Sequence, residues 1–139
     1  MDMFDLSTWN VVAVDDEPDN LEVVEEILLI YDANVHTACG GHEALQLMEK
    51  VKPTLILTDL SMPGMDGYQF LYKVRHTQGL ESIPVIALTA HAMAGDKERI
   101  LATGFSGYMS KPLRMANLLT DIFQIAPSLK PTPAQEESK

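Results

Sequence analysis

Four places in the chain put a charged or hydroxyl residue at the end of a short apolar run. Asp15 and Asp16 follow "NVVAV", Asp59 follows "LILT" in "LTDLSMPGMDG", Thr89 closes "VIALT", and Lys111 follows "GYMS". Taken singly, each has an ordinary reading. An aspartate after a strand caps a helix or starts a turn, a threonine suits a strand, and a lysine belongs on the surface. Taken together, three carboxylates, a hydroxyl and an ammonium form a set that does chemistry. Three carboxylates with too few cations near them need a counter-ion. An all-oxygen set of this kind suits a hard divalent ion that keeps several waters, which describes Mg²⁺. Lys111 is then available to balance a further anion.

That reading requires elements that bring these residues to one place. Five β-type runs alternate with helical stretches: Asn10 to Val14, Asn34 to Ala38, Leu55 to Thr58, Val85 to Thr89 and Gly107 to Ser110. The first, third and fourth are almost continuously apolar, the pattern of strands buried on both faces of a parallel sheet. Between them, Leu21, Val24, Leu28 and Tyr31 follow helical spacing after Pro18, which is suited to a helix start. "GHEALQLMEK", "GYQFLYKVRH" and "GDKERILATG" fill the next gaps, and Leu118, Leu119, Ile122, Phe123 and Ile125 mark a last helix. Asp66 is read as the cap of the third helix, and Gly104 as the C-terminal cap of the fourth. Strict alternation implies right-handed crossovers and an α/β fold with helices on both faces of a single five-stranded parallel sheet. In such a sheet the strand C-termini open on one rim, where ligands bind. The four sites therefore converge. The second run ends in nothing comparable, which predicts an edge strand, and the third is expected at the centre.

Bulk properties narrow the function classes. The chain has 139 residues, enough for one domain with a real core, and 46% of them are hydrophobic. Twenty acidic and ten basic residues give a net charge of -10, which disfavours direct binding to nucleic acid or an anionic membrane surface. No apolar run approaches membrane-spanning length, and "MDMFDLSTWN" lacks the pattern of a signal peptide. Cys39 is the only cysteine. That excludes an internal disulfide and points to a reducing, cytoplasmic setting. His36, His42 and His76 show no metal-ligand spacing.

The ordered set resembles the receiver domain of two-component response regulators, of the stand-alone, CheY-like kind. The residues that carry the resemblance are Asp15-Asp16, Asp59 in "DLSMPGMDG", Thr89 in "LTA" and Lys111 in "KP", with Tyr108 at a position often aromatic in that family. It covers roughly Val11 to Ile125. It implies a flavodoxin-like sheet of order 2-1-3-4-5, and a phosphoryl group accepted on Asp59 from a histidine kinase or a histidine phosphotransfer protein. Asp16 and Asp59 would hold Mg²⁺ through side chains, Asp15 partly through water, and Ser61 through its carbonyl. Lys111 and Thr89 would bind phosphoryl oxygens, and Thr89 and Tyr108 would form the switch. Ser61 and His91 would tune dephosphorylation, although His91 also reads as an idle loop histidine. The resemblance further implies a cis Lys111–Pro112 bond. The output would be a changed protein-binding surface on the fourth helix, fifth strand and fifth helix.

Three other readings compete with this one. A haloacid dehalogenase-type phosphatase needs a second Asp two positions after the nucleophile, where this chain has Ser61. A flavodoxin needs a Ser/Thr/Gly-rich loop where it has "DDEPD". A pseudo-receiver scaffold, never phosphorylated, is the alternative that remains, although such scaffolds usually lack one of these residues and this chain has them all. The chain is thus expected to be no enzyme beyond its own phosphorylation and dephosphorylation. Residues 1–126 are expected to form the receiver domain, stand-alone or excised from a longer protein. The tail 127–139, "PSLKPTPAQEESK", is expected to be disordered.

Overall fold

The computed structural model describes residues 4–90 and 94–130. Five strands and five helices alternate along the chain: β1 (Asn10–Val14), α1 (Pro18–Leu29), β2 (Asn34–Ala38), α2 (Gly41–Leu47), β3 (Leu55–Asp59), α3 (Gly67–Arg75), β4 (Val85–Thr89), α4 (Ala94–Thr103), β5 (Gly107–Ser110) and α5 (Leu118–Ile125). The strands form one sheet of order β2-β1-β3-β4-β5, and every pairing is parallel. This is the flavodoxin-like architecture expected from the sequence, with β3 central and β2 at an edge. Every residue of β3 and β4 is buried, whereas β2 buries only Ala38.

Successive strand side chains point to opposite faces, so each strand feeds two cores. Val11, Ala13, Leu55, Leu57, Ile86 and Leu88 pack into a layer with α1 and α5. Val12, Val14, Ile56, Val85 and Ala87 pack into a second layer with α2, α3 and α4.

Local chemistry sets the helix ends. Pro18 opens α1, where its missing N–H costs nothing. Asp66 caps α3 as anticipated: its side chain accepts from the Gln69 N–H, and the Gln69 side chain returns a bond to the Asp66 N–H. Gly104 follows α4 at φ +118°, a backbone shape that L side chains rarely adopt. α2 ends at Leu47, short of the expected "GHEALQLMEK", because the chain turns before Pro53. β3 runs one residue further than expected: Asp59 is its last member and stands level with Leu88 of β4.

Three features lay beyond the reach of periodicity. Leu6 and Trp9, ahead of β1, are buried and close the α1/α5 layer. Phe4 and Trp9 both stand edge-on to Phe123 of α5, with centroids 5.2 and 6.0 Å away. Arg75, at the end of α3, donates to the carbonyls of Ile83 (2.7 Å) and Gly104 (3.1 Å), tying α3 to the segments flanking β4 and α4. Burial holds its pKa below the ordinary value. Beyond α5, Pro127–Leu129 form a 3-10 turn, and Leu129 packs on the α1/α5 layer. Residues 131–139, the rest of the expected tail, lie outside the described residues. Among the described residues, no helix is long and apolar enough to cross a membrane.

Candidate functional site

Strand register assembles the site. Val14 stands level with Thr58, so Asp15 and Asp59, each one residue on, leave neighbouring strands at the same height. Asp59 is level with Leu88, and Thr89 follows it; Thr89 is level with Ser110, and Lys111 follows that. The Lys111 N–H donates to the Thr89 carbonyl at 2.8 Å, which holds the lysine beside the rim. Residues separated by nearly a hundred positions thus meet because parallel strands end together.

The electrostatics are those of buried charge. Asp15 is fully buried, Asp59 is 7% exposed, and Thr89 is 6% exposed; Asp16 is exposed. Lys111 Nζ lies 3.0 Å from Asp15 Oδ2 and 3.3 Å from Asp59 Oδ1. Burial pushes the Asp59 carboxyl above its ordinary pKa. The negative charge of Asp15 adds to this, and the pull of Lys111 and of the Ser61 N–H only partly offsets it. For Lys111 the balance runs the other way. Burial pushes the ammonium down, but Asp15 and Asp59 together outweigh it and leave the pKa raised.

The rim is adapted to a cation as well. Asp15, Asp16 and Asp59 each offer a carboxylate oxygen, and these atoms lie within 4.8 Å of one another. Asp15 Oδ1 accepts from the Glu17 N–H at 3.0 Å. Asp15 Oδ2 is buried and faces the Lys111 ammonium at 3.0 Å, with no other hydrogen-bond donor among the described residues. A buried carboxylate oxygen with capacity to spare, in an all-oxygen set, fits a hard divalent ion.

The loop after β3 is shaped around Asp59. The Thr58 hydroxyl donates to the Asp59 carbonyl at 3.0 Å, and the Ser61 N–H points at Asp59 Oδ1 at 3.4 Å. Gly64 has φ +80°. At Gly67 a Cβ would lie 2.5 Å from the Asp59 carbonyl oxygen and 2.8 Å from Leu60 Cα, so any side chain there would displace the loop that carries the acid. This role for Gly67 depends on the close approach of the α3 start to the end of β3, which the sequence pattern does not show.

Of the residues singled out from the sequence, Asp15, Asp16, Asp59 and Lys111 come together in one cluster. Ser61 and Thr89 line a groove beside it. Tyr108 stands apart, half-buried, with Lys97 Nζ 5.8 Å from its ring centroid. His91 lies outside the described residues. The Lys111–Pro112 bond is cis. Cys39 is exposed just past the end of β2, and the Ala38 carbonyl before it accepts from the Asp15 N–H at 3.1 Å.

Comparison with known proteins gives the same picture. A family profile described as the response regulator receiver domain matches residues 11–123. The signal transduction histidine-protein kinase BarA of Escherichia coli (strain K12) is 40% identical over 112 residues, which are 78% of this chain but 12% of BarA. The chain thus spans a small part of this relative. The chemotaxis protein CheY4 of Vibrio cholerae superposes with a TM-score of 0.79 at 30% identity, covering 84% of this chain and 98% of CheY4. The receiver domain of sensor histidine kinase PA1611 from Pseudomonas aeruginosa PAO1 was solved with a magnesium ion coordinated in its active site cleft. It superposes at 0.75 with 31% identity, over 84% of this chain and 95% of that one. Strand order, rim chemistry and a profile matched from the first strand into the last helix agree: the chain belongs to the response regulator receiver domain family.

Proposed function

We propose that this receiver domain accepts a phosphoryl group on Asp59 and signals through the surface change that follows. One observation carries the reading: a single ammonium, Lys111, spans Asp15 and Asp59 at 3.0 and 3.3 Å inside a three-carboxylate cluster. That is a site poised to exchange charges when a dianion arrives.

In the proposed reaction an Asp59 carboxylate oxygen attacks the phosphorus of a phosphohistidine on a partner kinase or phosphotransfer protein. The P–O bond forms as the P–N bond breaks, and the electron pair leaves on the imidazole nitrogen. Such transfers depend on in-line positioning and charge neutralisation more than on covalent help. Lys111 moves from the carboxylates to a phosphoryl oxygen, and the Thr89 hydroxyl donates to another. Asp15, Asp16, Asp59 and the Ser61 carbonyl would hold magnesium, which when bound neutralises charge on the phosphoryl oxygens. Ser61 and His91 would tune the later hydrolysis of the aspartyl-phosphate by water.

The modification adds close to two negative charges and strong acceptors. Thr89 is drawn toward them, Tyr108 changes its packing, and the α4–β5–α5 face presents a new surface to a protein effector. A groove lined by Leu101, Tyr108 and Arg114 lies on that face, and Leu101 is 52% exposed. The chain catalyses only its own phosphorylation and dephosphorylation. A cytoplasmic setting fits a lone, exposed cysteine.

Intact mass after incubation with acetyl phosphate and Mg²⁺ tests this. A single phosphoryl adduct is expected in the wild type, and none in Asp59→Asn or with chelator. A folded wild type without adduct would instead identify a scaffold that is never phosphorylated, and an adduct surviving in Asp59→Asn would move the acceptor elsewhere.

A further inference from the structure

A groove of about 660 Å³ opens beside the acidic cluster. Its polar lining comprises buried Thr89, exposed Ser61, Asp66, Tyr68, Asp96 and the exposed Arg99. Arg99 is the one cation among these residues. Its guanidinium carbon lies 4.1 Å from the Tyr68 ring centroid, and Phe105 braces that ring edge-on at 5.8 Å. A guanidinium held over a ring face is restrained there while its N–H groups can still pair with an oxyanion. Among the described residues no carboxylate forms an ion pair with Arg99; both ion pairs run through Lys111. One Asp66 carboxylate oxygen is occupied by the Gln69 N–H at 2.9 Å.

These facts set an electrostatic problem for any small anionic donor. It must approach three rim carboxylates through a groove that carries two more, Asp66 and Asp96. Lys111 is already held by Asp15 and Asp59 and offers little attraction at a distance. We infer that Arg99, held over the Tyr68 ring, is the docking residue that receives a small acyl phosphate in this groove and positions it for Asp59. The inference rests on the phosphoacceptor reading above. With acetyl phosphate, an Asp59 oxygen–phosphorus bond forms, the bond from phosphorus to the acyl oxygen breaks, and acetate leaves with the electron pair. Arg99 gives up no proton; it binds and orients. The donor's charge thereby meets a cation before it meets the carboxylates.

The test is the second-order rate of adduct formation with acetyl phosphate at saturating Mg²⁺, across a salt series, alongside Mg²⁺ affinity by calorimetry. Arg99→Gln is expected to slow the reaction about 3- to 10-fold at low salt, as fits one exposed charge. The gap should close at high salt, where screening removes the attraction. Mg²⁺ affinity and melting temperature should not move. Arg99→Lys should recover part of the rate. Tyr68→Phe should match wild type, whereas Tyr68→Leu should follow Arg99→Gln. Asp96→Asn should act with the opposite sign and speed the reaction. Equal rates for wild type and Arg99→Gln at low salt would overturn the assignment, as would a deficit that is the same at every salt concentration. A wild type that takes no adduct would remove the phosphoacceptor reading and this inference with it; a phosphorylated wild type with an indifferent Arg99→Gln removes the inference alone.

Discussion

At the C-terminal rim of the sheet the fold holds Asp15 fully buried and Asp59 at 7% exposure, with Lys111 between them. At the opposite edge it buries Leu6 completely and Trp9 to 5% exposure, and closes with rings and a 2.9 Å backbone bond from the Leu6 N–H to the Tyr31 carbonyl. Both edges sit on the same strands, a few residues apart. The apolar edge gains from burial without a desolvation cost. The charged edge carries that cost, which is visible in the raised pKa of Asp59. Charges kept in this way, with two buried carboxylates sharing one ammonium, mark where the molecule trades stability for reactivity. The apolar edge is the anchor that makes the trade affordable.

The largest effect should come from the anchor. Leu6→Ala is expected to lose about 3 kcal/mol, in the range for a fully buried leucine, measured by urea unfolding. The folded fraction should take up phosphoryl at the wild-type rate, because no rim residue has moved. A folded Leu6→Ala that was slow to phosphorylate would show the two edges to be coupled.

Gly67→Ala comes next. Its Cβ cannot sit 2.5 Å from the Asp59 carbonyl oxygen, so the loop must shift, at about 2 kcal/mol. Here stability and phosphorylation should fall together, unlike at Leu6. Asp66→Ala removes the capping box of α3 and should cost about 1 kcal/mol, again by urea unfolding. Its phosphorylation by acetyl phosphate should be modestly faster at low salt, as for Asp96→Asn, since the groove loses a carboxylate.

The smallest effect in stability has the opposite sign. A carboxyl whose pKa is raised on folding contributes stability at low pH that is lost as pH rises through the folded value. At neutral pH the ionised Asp59 is therefore a burden, and Asp59→Asn should melt slightly higher than wild type in chelator. That advantage should shrink as pH falls from neutral toward the ordinary carboxylate range. Mg²⁺ should stabilise the wild type more than the variant, because only the wild type offers the full carboxylate set. Thermal melts with and without Mg²⁺, across pH, read both trends. A wild type that melts higher than Asp59→Asn in chelator at neutral pH would mean that Lys111 more than offsets burial.

Much of this was legible in the residues themselves. Continuous apolar runs at Val11–Val14, Leu55–Thr58 and Val85–Thr89 specified buried parallel strands, and alternation with helical spacing specified the layers. The ends of those runs then nominated Asp15, Asp16, Asp59, Thr89 and Lys111, because a parallel sheet opens all its C-termini on one rim. Asp66 was legible as a cap, since capping is a local event between residues three apart. What local pattern cannot carry is distance between residues far apart in the chain. That Lys111 is engaged by two carboxylates, that Gly67 touches Asp59, that Leu6 and Trp9 close the far edge, and that Arg75 and Arg99 reach across helices were all decided by tertiary packing. Each depends on the register and crossing of elements that sequence periodicity defines only one at a time.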